Sequence, residues 1–270
     1  MEWWESILMG LAQGLTEFLP VSSSGHLMIA RDLLGVQSEG FLDFTVTVHF
    51  ATVLSTIIVF WAPIKKLFGG FFKFKYNDET DYILKIIVSM IPVAVVGLFF
   101  KDKVEILFGD SLRTVAFCLL VTAVLLCLSD VLSGRINRIN SSRNGISWWQ
   151  ALVVGLAQAV AVAPGLSRSG TTIATGLIAG VKRENMAQFS FLMVLVPILG
   201  EQLLDLVDML SGEAAISSGI GFMPLALGFL SAFLSGLFAC KVMVALVKRA
   251  RLSWFGLYCL VVAGLILFFA

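Results

Sequence analysis

The chain has 270 residues, of which 58% are hydrophobic and 14% are charged, and its mean hydropathy is +0.94. A soluble domain carries about 25% charged residues, so this composition excludes an ordinary soluble protein and predicts an integral membrane protein. The same composition makes a lipid bilayer the expected partner. The net charge of +1 is uninformative about nucleic acid, and no basic tract suggests it as a partner.

Six apolar segments are long enough to cross a bilayer as helices, which takes about 20 mostly apolar residues. They lie at roughly 43–61, 82–100, 114–132, 186–208, 222–247 and 252–269. We expect each of them to be a transmembrane helix.

Two further apolar regions, residues 3–34 and 148–181, are interrupted by proline, glycine and serine. Each half is too short to cross alone, and a broken helix at membrane depth is tolerated only where it is buried in protein or lines a wet cavity. We expect both regions to be re-entrant helical hairpins.

The two interrupted regions are similar to each other when one is shifted by 145 residues. Nine of 23 ungapped positions are then identical. The identities are Trp3-Trp4 with Trp148-Trp149, Gly10 to Gln13 with Gly155 to Gln158, and Ser22, Ser24 and Gly25 with Ser167, Ser169 and Gly170. We interpret this similarity as an internal repeat.

Three predicted spans separate the hairpins, so the hairpins enter from opposite faces and the repeats, approximately 1–132 and 146–270, are inverted. The predicted fold is an all-α polytopic membrane protein with six transmembrane helices plus two re-entrant helical hairpins. We expect it to be a single membrane domain over residues 1–270 with an inverted-topology repeat.

The charges of the loops predict the orientation. Twelve basic residues fall on one side of this arrangement: Lys65, Lys66, Lys73, Lys75, Arg135, Arg138, Arg143, Lys182, Arg183, Lys248, Arg249 and Arg251. The other side has Arg31, Lys101, Lys103 and Arg113. By the positive-inside rule the first set faces the cytoplasm, so the first hairpin enters from outside.

The first hairpin carries polar groups at its tip: Gln13, Glu17, Ser22, Ser23, Ser24, Gly25 and His26. Pro20 should end the first helix of the hairpin, because residues before proline avoid the α region. The serines suit the N-cap of the second helix. A helix N-terminus binds anions such as phosphate, so the sequence predicts a phosphate site here.

The second hairpin carries a related set: Ser167, Arg168, Ser169, Gly170, Thr171 and Thr172. Arg168 stands where the first copy has Ser23. Its guanidinium fork suits bidentate contact with phosphate, so the two hairpin tips together predict a phosphate cradle.

For several residues a purely structural role stays open beside the functional one. Serine and glycine also serve close helix packing in membranes. Gln13 suits either catalysis or a helix contact, and His49 favours a structural hydrogen bond. The acidic face of Glu201, Asp205 and Asp208 favours plain solvation.

The motifs GLAQGLTEFLPVSSSGH at 10–26 and PGLSRSGTT at 164–172 closely resemble those of the BacA-type undecaprenyl-pyrophosphate phosphatase family. The resemblance implies a phosphatase of the bacterial inner membrane that hydrolyses undecaprenyl pyrophosphate and recycles the lipid carrier for cell-wall synthesis. It also implies a divalent cation, Mg²⁺ or Ca²⁺, with Glu17 as the candidate ligand. Many members have glutamate where this chain has Gln13.

The expected mechanism assigns catalysis to Glu17, Ser23, His26 and Arg168. Arg168 binds the phosphates, Ser23 attacks phosphorus, and His26 accepts the serine proton, with Glu17 orienting His26 or holding the metal. In a rival scheme His26 or Glu17 activates water and Ser23 only binds phosphate.

A transporter or flippase of an anionic lipid is the alternative function, because inverted repeats with broken helices are typical of transporters. A homodimer is left open.

Overall fold

The computed structural model describes residues 1–36, 41–100, 111–133, 144–163, 165–211 and 220–269, without the side chains of residues 42 and 201–211. These residues form eleven α-helices, and no strand occurs among them. The predicted all-α class is therefore confirmed for the described part of the chain.

The helices are numbered in chain order. They are α1 Trp3–Thr16, α2 Ser23–Leu34, α3 Phe41–Val59, α4 Trp61–Phe71, α5 Asp78–Phe99, α6 Leu112–Ser133, α7 Trp148–Val160, α8 Arg168–Ile178, α9 Arg183–Ser211, α10 Phe222–Arg249 and α11 Ser253–Phe269.

Among the described residues, α5, α6 and α10 are each long and apolar enough to cross a membrane. The α3–α4 pair makes a fourth candidate, although the chain bends by 73° between the two helices. The predicted segment 43–61 is thus helical but continues into α4 rather than ending in a loop. The last predicted span corresponds to the 17-residue apolar α11.

Both interrupted regions are pairs of helices, as predicted. Helix α1 ends at Thr16, four residues before Pro20, and α2 begins after Ser22, whose hydroxyl accepts the Gly25 amide hydrogen at 3.3 Å. In the second pair, Ser167 caps α8 in the same way, accepting from Gly170 N at 3.1 Å. The serines therefore cap the second helix of each pair as the sequence indicated. Helix α1 stops earlier than the position of Pro20 predicted, so Glu17 is its C-cap residue.

Small residues bring the first helix of each pair close to a long helix of the other half. Helix α1 packs on α10, where a Cβ added to Gly10 would lie 2.4 Å from the Gly228 carbonyl oxygen. Helix α7 packs on α5, where a Cβ on Gly155 would lie 2.3 Å from the Ser89 carbonyl oxygen. Such contacts let helix backbones approach closely within a bilayer.

Candidate functional site

The tips of the two helix pairs meet inside the molecule. The Ser169 hydroxyl donates to the Leu19 carbonyl at 3.2 Å, and a Cβ on Gly170 would lie 3.2 Å from the Cβ of Pro20. The Ser167 amide also donates to the Thr122 hydroxyl at 3.3 Å, which fixes the second tip to α6. The predicted juxtaposition of the tips is therefore present.

A cleft opens where the tips meet. One wall is polar and includes Glu17, Ser22, Ser23, Ser24, Thr52, Thr56, Ser167, Arg168 and Ser169. The other wall is apolar and comes mainly from α3 and α9, with Val53, Phe191, Val194, Leu195 and Ile198. The cleft thus suits a ligand with a polar head and an apolar body.

Glu17 accepts two side-chain hydrogen bonds in the polar wall. Its Oε2 atom accepts hydrogen bonds from the Ser23 hydroxyl at 2.6 Å and from the Gln13 amide nitrogen at 2.8 Å. Its side chain is only 10% exposed. Because a carboxylate can take the proton of a hydroxyl that it binds, Ser23 and Glu17 have the geometry that a nucleophile and its general base require.

Two helix N-termini border the same cleft. Ser23 and Ser24 begin α2, and Arg168 and Ser169 begin α8. Their unpaired backbone amides and partial positive charge favour an anion. Ser22 adopts φ +67°, a left-handed conformation that is rare for a residue other than glycine, and this turn aims α2 at the cleft.

Arg168 lies half-buried in the cleft wall and its charge acts on Glu17. Within the described part of the chain its guanidinium makes no hydrogen bond or ion pair. A cation at a helix N-terminus opposes the helix dipole, so an anionic ligand would relieve this repulsion.

The structure places His26 away from the expected partner. Its Nδ1 lies 2.8 Å from the Ser22 carbonyl oxygen and its Nε2 lies 2.8 Å from the Tyr258 hydroxyl, on which the ring also stacks. In this conformation the Ser23 hydroxyl bonds Glu17 rather than His26, and the partners of His26 are Ser22 and Tyr258 rather than Glu17. The geometry therefore does not bring His26 to the proton that it was expected to accept, and its catalytic role stays a prediction.

His49 is a residue that the sequence interpretation undervalued. Its Nδ1 lies 2.8 Å from the Thr45 carbonyl oxygen, which is the expected structural bond, but its Nε2 lies 3.8 Å from Glu17 Oε2. The signal was a polar face at helical spacing on an apolar helix, made by Thr45, His49, Thr52 and Thr56.

The remaining predicted residues differ in their surroundings. The Thr172 hydroxyl bonds to the Ser190 hydroxyl at 2.7 Å and is fully buried, so it serves helix packing rather than the cleft. Thr171 is buried, and no described group bonds its hydroxyl. Gly25 packs against Val115. Pro164 and the side chains of Glu201, Asp205 and Asp208 lie outside the described residues.

The surroundings of Glu17 do not fit a cation held by the protein. The Ser23 hydroxyl and the Gln13 amide nitrogen both donate hydrogen bonds to its Oε2 atom, and Arg168 adds a positive charge to the same cleft. Among the described residues no three His, Cys, Asp or Glu side chains gather as a metal would need.

Comparisons with known proteins identify the family of the chain. The family model described as bacitracin resistance protein BacA matches residues 6–265. An undecaprenyl-diphosphatase of Bacteroides fragilis is 51% identical over 97% of this chain and 96% of that protein. Those of Parabacteroides distasonis and Christiangramia forsetii are 50% and 46% identical, each over at least 97% of both chains. The chain therefore belongs to the BacA family.

Proposed function

We propose that this protein is an undecaprenyl-diphosphatase, which hydrolyses undecaprenyl pyrophosphate to undecaprenyl phosphate and inorganic phosphate. The observation that carries the proposal is the hydrogen-bonded Ser23–Glu17 pair beside Arg168 in one cleft. Membership of the family and the names of the relatives support the same reaction, which returns the lipid carrier to cell-wall synthesis.

The first step is the binding of the pyrophosphate group. Arg168 and the amide groups that begin α2 and α8 face the cleft, and all of them attract a polyanion. The charge of the pyrophosphate would offset the cost of partly burying the guanidinium of Arg168, which has no hydrogen-bond or ion-pair partner among the described residues. Ser22, Ser24, Ser167 and Ser169 surround this position with hydroxyl groups.

The second step is attack by Ser23 on the terminal phosphorus. Glu17 takes the proton from the Ser23 hydroxyl, the new Oγ–P bond forms, and the anhydride P–O bond breaks to release undecaprenyl phosphate. Water then hydrolyses the phosphoserine. Phosphoryl transfer needs mainly positioning and charge stabilisation, which the cleft supplies.

The prenyl tail would leave the cleft along its apolar wall. Val53 of α3 and Leu195 and Ile198 of α9 belong to one apolar cluster beside the polar wall. A substrate whose head is a pyrophosphate and whose body is hydrocarbon therefore matches both walls.

For the scaffold we propose six transmembrane helices plus two re-entrant hairpins, in inverted repeats of approximately 1–132 and 146–270. The helix pairings support it: α1 with α10 corresponds to α7 with α5, and α1–α2 to α7–α8. The exposed Lys65, Lys73 and Lys75 support a cytoplasmic face there, with the active site open to the outside of the bacterial inner membrane. A homodimer stays a prediction.

The divalent cation also stays a prediction. Because Glu17 is surrounded by donors, we expect the oxygens of the substrate rather than Glu17 to bind Mg²⁺ or Ca²⁺. No step of the proposed reaction passes through it.

Phosphate release from undecaprenyl pyrophosphate by the purified protein in detergent tests the proposal. Ser23→Ala, Glu17→Gln and Arg168→Ala should each lower kcat/KM by about a hundredfold or more. Thr16→Val is the matched control, because Thr16 adjoins Glu17 but its hydroxyl donates to the Ala12 carbonyl within α1. Full activity of Arg168→Ala would refute the phosphate cradle. Chelation followed by addition of Mg²⁺ or Ca²⁺ tests the cation.

The pairing of helices across the two halves also favours a transporter or flippase of an anionic lipid as the second candidate. The same assay separates the two functions. Transport without hydrolysis would leave the pyrophosphate intact in detergent, whereas a phosphatase releases phosphate there without any membrane to cross.

A further inference from the structure

We propose that His49 receives the proton that Glu17 takes from Ser23, so that Ser23, Glu17 and His49 form one proton path. The inference rests on the proposed phosphatase reaction. His49 acts through Glu17 and touches no reacting atom, so it is a positioning residue rather than a catalytic one. The expected role of proton acceptor thereby passes from His26 to the other histidine of the chain.

The hydrogen bonds of each histidine decide between the two. A carbonyl oxygen can only accept, so the Ser22 and Thr45 carbonyls each hold a hydrogen on the Nδ1 atom of their histidine. In its neutral form each ring then carries a lone pair at Nε2. In His26 this lone pair accepts the Tyr258 hydroxyl, whereas in His49 it faces Glu17.

The position of His49 on α3 keeps this orientation. His49 shares a helix face with Thr52 and Thr56, which line the cleft, and its side chain is 14% exposed. The Nε2–Oε2 separation of 3.8 Å is longer than a hydrogen bond. Contacts of this kind often shorten when substrate binds, so the apo distance is compatible with a path for the proton.

The chemistry of the path balances. When Ser23 attacks, its O–H bond breaks and the proton binds Glu17, whose new O–H then donates to the His49 lone pair. The proton is held by Glu17 and His49 while undecaprenyl phosphate leaves. When water hydrolyses the phosphoserine, this proton returns to Ser23 Oγ and both water protons leave with the phosphate as H₂PO₄⁻.

The test is the steady-state kinetics of His49→Gln and His49→Phe on undecaprenyl pyrophosphate. Neither side chain can take a proton, so kcat should fall by about tenfold to a hundredfold while KM changes by less than about threefold. A merely structural role would change the unfolding temperature or KM instead. Thr47→Val is the matched control. Thr47 lies two residues from His49 on α3, and the substitution removes a local hydrogen bond from its hydroxyl to the Asp43 carbonyl.

A kcat of His49→Gln or His49→Phe within about twofold of the wild-type value would overturn the inference, as would a higher KM with an unchanged kcat. Unfolding temperature and inorganic pyrophosphate binding, both at wild-type values, identify a variant that is folded. If the wild-type protein releases phosphate and the His49 variants have the same kcat, this inference alone is refuted. A wild-type protein that releases no phosphate refutes the proposed function as well.

Discussion

At the scale of single residues, two glutamines at equivalent repeat positions have different surroundings. Gln13 is fully buried and its amide nitrogen donates to Glu17. Gln158 is equally buried, but among the described residues neither its nitrogen nor its oxygen has a hydrogen-bond partner. Under the shift of 145 residues Glu17 corresponds to Val162. The second region therefore lacks the carboxylate that would accept a hydrogen bond from Gln158.

This difference predicts opposite effects of the same substitution. Gln158→Leu removes an unsatisfied amide and should stabilise the protein by about 1–3 kcal/mol at unchanged turnover. Gln13→Leu removes a hydrogen bond to Glu17 and should lower kcat. Thermal unfolding and phosphate release of the two variants check both effects, and a destabilised Gln158→Leu would mean that the amide has a bound partner.

At the scale of elements, close approach of helices depends on glycine at particular positions. Gly155 of α7 leaves no room for a side chain beside the backbone of Ser89. By contrast, a Cβ on Gly264 of α11 would meet nothing within 4 Å. Backbone cannot move aside as a flexible side chain does, so α7 and α5 would have to separate to admit a methyl group.

Gly155→Ala should therefore destabilise the protein by about 1–3 kcal/mol, because it overpacks a tight helix contact. Gly264→Ala is the matched control and should leave stability unchanged or raise it, since alanine is the better helix former. The measurement is the unfolding temperature in detergent. Equal effects of the two substitutions would show that the α7–α5 contact contributes little.

At the scale of the whole molecule, inverted repeats predict that the two hairpins end on opposite sides of the membrane. Asp32 lies near the end of the first hairpin and Glu184 just after the second, and both are exposed. The orientation that we propose from the basic loops predicts Asp32 outside and Glu184 in the cytoplasm.

Labelling of intact cells with a membrane-impermeant maleimide tests this arrangement. The four cysteines are first replaced by alanine, and Asp32→Cys and Glu184→Cys are then made singly. Asp32→Cys should react in intact cells and Glu184→Cys only after permeabilisation. Reaction of both from the same side would contradict the inverted repeat.

The sequence by itself determined the helical class, the positions of the long apolar helices and the break in each hairpin, but it did not indicate α4. Proline, the serine N-caps and runs of apolar residues act locally, so their effect is visible without the fold. The same holds for the polar groups at the hairpin tips, and for the family, because its motifs are continuous in sequence.

The tertiary structure alone decided which side chains meet. The sequence spacing predicted that Ser23 and His26 lie near each other on α2. In the structure the Ser23 hydroxyl bonds Glu17, whereas the His26 ring bonds Tyr258, 232 residues away in sequence. His49 was undervalued for the same reason, since its acidic neighbour belongs to α1's end rather than to its own helix. Contacts between distant segments depend on helix packing, which no local pattern records.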